Sequence, residues 1–155
     1  MSFYDWMLAL HVLAAFSIAA ALVLYGVMVV SGRRMTTLDE PRLLFRIAPI
    51  GGPLIGVGMG LTLLLGIVLA IDSDDYELWN GWIIAAIIMW ALAGWIGDRS
   101  GKYYTEVQKL AEGGAANAEA DVIARLRAPT GARLYAGTVV LFLLLALDMI
   151  FKPGA

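Results

Sequence analysis

The chain has 155 residues, of which 61% are hydrophobic and only 15% charged, and its formal net charge is −2. A soluble domain carries about a quarter charged and roughly half apolar residues, so this composition points to a bilayer, and the slight acidity argues against a nucleic-acid partner. There is no cysteine, which excludes disulfides, thiolate metal sites, iron–sulfur clusters and c-type haem attachment.

The apolar residues fall in four blocks. They predict one all-α domain, an integral membrane four-helix bundle in contact with lipid, with spans at about 6–30, 47–71, 78–97 and 134–151. The first block, Trp6 to Val30, has no basic segment before it and is too long for a secretory signal, so it reads as a retained span. Ser31 to Arg46 is polar and carries Arg33, Arg34, Arg42 and Arg46. Within it Thr37, with Glu40 three residues on, resembles a capped helix start, and Arg42 to Arg46 predicts a short interfacial helix before the second span. Pro49 and Pro53 are expected to kink or reset the chain there.

The second span, Ile47 to Ile71, has no charged residue. Gly52, Gly56 and Gly60 lie four apart and so share one helix face. They predict a helix-packing stripe that brings the first span close enough to bury His11. An acidic turn follows, with Asp72, Asp74, Asp75 and Glu77. Leu78 to Gly97 has Trp79 and Trp82 at its start and Trp95 at its end, the positions of aromatic belts.

The polar segment after Gly97 is predicted to extend the third span as a helix through Glu112, to break at Gly113-Gly114, and to resume from Asn117 to Arg127. Asn117 is its candidate cap, and Val122, Ile123 and Leu126 share a face. Pro129 and Gly131 are expected to end that helix before the fourth block, Arg133 to Phe151. Every Lys and Arg apart from Lys152 lies in the first or third polar loop, on the same side of a four-span protein. The positive-inside rule makes that side the cytoplasm and puts both termini outside.

His11 is the only histidine, and an ionisable group at membrane depth is a functional-site hypothesis by default. Three roles are open: a neutral imidazole bonded to a backbone carbonyl or hydroxyl, a metal or haem ligand, and a proton-handling group. Asp148 is a candidate partner, able to hold the Nδ1 proton, or else a boundary residue paired with Lys152. Met7 is one turn before His11, and Met59, Met89 and Met149 also lie in spans. A copper(I) site, or haem ligation by His11 with Met7 or Met59, can be written from these, although methionine is also a common filler between helices. Thr62 and Ser17 are assigned to packing. Arg133, Tyr135, Asp98 and Arg99 are read as helix-end anchors, with a lipid or quinone headgroup site as the lesser alternative, and the Tyr103-Tyr104 pair as a further interfacial anchor. No phosphate loop, nucleophile–base pair or zinc motif is present.

Leu10-His11-Val12 in the first span, the glycine-rich second span and Asn80-Gly81-Trp82 opening the third are similar to a bacterial family of small, predicted integral membrane proteins of unknown function. That family is distantly similar to the membrane domain of copper-resistance protein D and to the four-helix protoporphyrinogen oxidase that binds haem b. The resemblance implies the bacterial inner membrane. It also implies a first-span histidine as haem ligand, which His11 matches, and a third-span lysine, where this chain has Ile83 to Ile88 and no lysine.

Three functions follow, in order of support. The first is a non-catalytic accessory or structural membrane component that meets other subunits or its own copies. The second is a haem b protein or haem-linked redox enzyme with His11 as axial ligand. The third is copper or proton transport, which the scarcity of ionisable residues in the spans disfavours.

Overall fold

A computed structural model describes residues 2–36, 39–73, 77–113 and 118–153, with backbone alone for 39–49. The chain forms five helices: α1 Phe3–Arg34, α2 Asp39–Asp72, α3 Gly81–Glu112, α4 Ala118–Arg127 and α5 Pro129–Phe151. Four of the helices are long and apolar enough to cross a membrane, α4 running with α5 in the last. The fold is therefore the expected all-α bundle of four membrane-crossing helices.

Local chemistry sets the helix ends. α1 begins ahead of its apolar block because Ser2 and Asp5 form a capping box. The Ser2 amide donates to Asp5 Oδ2 at 2.7 Å and the Asp5 amide to Ser2 Oγ at 3.2 Å, which satisfies two amides that the first turn leaves without partners. Arg33 and Arg34 close the helix, where the dipole favours cations.

α2 corrects one expectation. Residues 42–46 are helical, but they are the opening turns of a helix that runs unbroken to Asp72, not a separate interfacial helix. Pro41 falls in the first turns, where a missing amide costs nothing. Pro49 and Pro53 each remove one interior hydrogen bond, a loss that membrane helices tolerate. The Thr37 cap lies outside the described residues, as does the Asn117 cap.

α3 starts at Gly81, later than the apolar block, and continues without a break past the span to Glu112. Gly113 closes it, its amide donating to the Lys109 carbonyl at 3.0 Å. α4 ends at Arg127, and Pro129 then occupies the first turn of α5, where its fixed φ and absent amide suit a helix start. Pro129 and Gly131 therefore open the fourth crossing as well as ending α4.

α1 packs along α2 and α3 along α5, and the two pairs meet over a much smaller surface. The α1–α2 contact uses glycines, but not the predicted ones. A Cβ on Gly51 would stand 2.8 Å from Tyr25 Cε2, one on Gly58 2.7 Å from Ile18 Cγ1, and one on Gly66 3.1 Å from His11 Cε1. At Gly52, Gly56 and Gly60 no described atom comes within 4 Å. The predicted stripe therefore does not pack inside this bundle. Successive residues turn about 100° round a helix, so Gly51, Gly58 and Gly66 share one face and the other three point elsewhere. Thr62, also small, completes the contacting row and is buried.

At the basic end, the α3 extension, α4 and the residue after α1 build a second core. Met35, Val107, Val122 and Leu126 are buried there, with Tyr103 and Tyr104 against them. Arg127 Nη2 donates to the Met35 carbonyl at 2.9 Å and Tyr103 to the Arg125 carbonyl at 2.6 Å. The tyrosine pair thus ties α4 to α3. Tyr135 likewise ties α5 to α1, its hydroxyl donating to the Leu22 carbonyl at 3.0 Å.

Candidate functional site

The thin contact between the two helix pairs leaves a cavity of about 370 Å³ at the end of the bundle that carries the termini. α1, α2, α3 and α5 each present one face to it. Tyr4, Leu8 and His11 come from α1 and Thr62, Gly66 and Ala70 from α2. Trp82, Ala86 and Trp90 come from α3, Leu145 and Met149 from α5, and Lys152 from the residue that closes α5. These are helical spacings of three or four, so every set lies on one side of its helix. Small residues at 66, 70 and 86 make the space, and the large ones at 82, 90 and 149 frame it.

His11 stands on the wall, its Nδ1 buried and without a hydrogen-bond partner among the described residues. The imidazole lies against Gly66, where an added Cβ would be 3.5 Å from Nδ1, and the Thr62 backbone is within its reach. The nearby polar groups are already engaged. Thr62 Oγ1 donates to the Gly58 carbonyl at 2.6 Å and Ser17 Oγ to the Ala14 carbonyl at 2.7 Å, both within their own helices, as packing residues. Trp90 Nε1 donates across to the Met59 carbonyl at 3.1 Å. Lys152 Nζ lies 5.6 Å from the centre of the Trp82 ring, within cation–π range.

Several expected partners of His11 are elsewhere. Asp148 Oδ2 is buried and has no hydrogen-bond partner among the described residues, so the Nδ1–carboxylate pair is not formed. Leu145, Met149, Ile150 and Lys152 line the cavity and Asp148 does not. Its carbonyl accepts from the Lys152 amide at 2.8 Å, where Lys152, at φ 41°, closes the helix. Met7 is not among the residues that line the cavity. Met59 turns to α3, its Cε 3.5 Å from where a Cβ on Gly94 would sit. Of these methionines, Met149 is the one on the wall. No group of three or more His, Cys, Asp or Glu able to hold a metal occurs among the described residues.

Trp82 is another difference. It is buried at 6% exposure, whereas Trp79 is 77% and Trp95 55% exposed. Arg99 covers the Trp95 ring at 4.1 Å, as expected of a belt residue at the end of the apolar stretch of α3. Trp82, Trp90 and Gly66 are the site residues that sequence reasoning missed. The signal was the paired rows Thr62-x3-Gly66-x3-Ala70 and Trp82-x3-Ala86-x3-Trp90, which mark one face on each of two helices.

No known protein family, curated protein or solved structure matches this chain.

Proposed function

We propose that this chain is a non-catalytic accessory component of the bacterial inner membrane, with both termini outside, which docks another membrane helix on the outward face of α2. The observation that carries this reading is the row Gly52, Gly56, Gly60, which no described part of the bundle covers. Small residues let helix backbones approach closely in lipid, where dispersion and weak hydrogen bonds replace the hydrophobic drive. An apolar groove of about 670 Å³ runs beside the row, with Pro53, Val57 and Leu61 on its α2 wall. The occupant is a helix of another subunit or of a second copy. Blue native electrophoresis in mild detergent should show a larger assembly that Gly56→Leu reduces to a folded monomer. Identical migration of both proteins as monomers would refute the reading. The orientation rests on the basic residues, all but Lys152 lying in two polar segments of the sequence, 31–46 and 98–133.

A second reading is a haem b protein, supported by the position of His11 on a cavity wall. His11 and Met149 are the wall residues that would hold the haem iron. Bound haem would supply one-electron chemistry, and the chain would orient it between the helix pairs. The purified protein should then show a Soret band that is lost in His11→Ala.

A further inference from the structure

We propose that the cavity between the helix pairs binds a neutral, ring-bearing lipid, a one-ring quinone or phenol with a hydrocarbon tail, whose ring oxygen hydrogen-bonds the His11 imidazole. Four observations lead there. The lining is mostly apolar, and Lys152, the charged residue in it, stands over the Trp82 ring, so a charged head would lose most of its hydration. Trp82 and Trp90 stand about two turns apart on one face of α3, and Tyr4 comes from α1. These flat rings favour a flat ligand by stacked or edge-on contact.

His11 Nδ1 is a buried polar atom on this wall with no hydrogen-bond partner among the described residues. Buried polar atoms without partners are few in native proteins, and each carries a desolvation cost that a bound oxygen can remove. Imidazole can donate to a quinone carbonyl or accept from a phenol. Size is the last observation. A cavity of about 370 Å³ is near the lower end of the ~300–1,000 Å³ range of small-molecule sites, which suits one ring and the start of a tail. The thin contact between the helix pairs offers such a ligand a route in from the bilayer.

The test is a titration of the detergent-purified full chain with a decyl-tailed benzoquinone, read by quenching of tryptophan fluorescence. Quenching should saturate, and decylphenol, which does not quench, should compete it away. His11→Leu should weaken binding about tenfold, the worth of one hydrogen bond. Ala86→Phe, which fills the cavity, should remove the saturable part. Linear quenching that competition does not relieve would mean partition into the micelle and would overturn the proposal. So would saturable binding that His11→Leu leaves unchanged, or a Soret band in the protein as purified. Should a variant fail to fold by far-UV circular dichroism, the wild-type competition alone decides. Decylbenzene separates head from tail. If it competes as well as decylphenol, the cavity takes hydrocarbon and the ring-oxygen assignment is wrong.

Discussion

His11 and Gly66 are in direct register: a single Cβ added at Gly66 would stand 3.1 Å from His11 Cε1. The imidazole has a place in the bundle because residue 66 has no side chain. The same holds one and two steps back along α2, at Gly58 beneath Ile18 and at Gly51 beneath Tyr25.

The glycines of α2 should accordingly split into two groups. Gly58→Ala would put a Cβ 2.7 Å from Ile18 Cγ1 and 3.2 Å from the Ala14 carbonyl, and backbone yields less than a side-chain tip. We expect a loss of about 1–3 kcal/mol. Gly56→Ala, with nothing described near it, should leave the dissociated single chain unchanged or up to about 1 kcal/mol more stable from helix propensity. Thermal unfolding of both variants in detergent measures the contrast, and equal losses would mean the two rows are equivalent.

Gly26 and Tyr135 should be coupled. The atom nearest a Cβ on Gly26 is the Tyr135 hydroxyl oxygen, which also donates to the Leu22 carbonyl. Tyr135→Phe should cost about 0.5–1.5 kcal/mol for that bond. Gly26→Ala should cost more alone than it does in the Tyr135→Phe background, because the colliding oxygen is then gone. A double-mutant cycle reads the difference, and additivity within about 0.5 kcal/mol would show no coupling.

At the basic end, Val122 is fully buried and Arg127 ties α4 to the residue that follows α1. Val122→Ala should cost roughly 1–3 kcal/mol. Arg127→Gln should release α4 locally while leaving the spans intact. Hydrogen exchange should then rise over 118–127 and stay unchanged in α2. Uniform exchange across the chain would refute this local role.

The proposed orientation has a direct chemical readout, because the chain has no cysteine of its own. In intact cells an impermeant maleimide should label Glu77→Cys and leave Glu112→Cys unlabelled until the membrane is opened. The reverse pattern would invert the topology.

Much of the architecture was legible from residue types alone. Four apolar blocks become four crossings because lipid offers a backbone no hydrogen-bond partner and a helix satisfies its own. The α3 extension, the break after Glu112 and the buried Val122–Leu126 face of α4 follow from local propensity and period. Helix ends were less legible where the signal was a few polar atoms, as with Ser2 and Asp5. α2 was misjudged as two pieces because proline's cost is smaller inside a membrane helix than in water.

The site depended on a quantity that the sequence by itself does not contain, the rotation of each helix about its axis. α2 has two rows of small residues, 52-56-60 and 58-62-66, and either could have received α1. Tertiary packing chose the second, where Tyr25, Ile18 and His11 of α1 fall opposite glycines. That choice puts His11 on a cavity wall, turns Asp148 and Met59 away from it, and brings Trp82 and Trp90 beside it. The sequence determined that His11 would lie at membrane depth among apolar helices. The tertiary structure decided which residues surround it, because side-chain neighbours across a bundle depend on how the surfaces of four helices fit together.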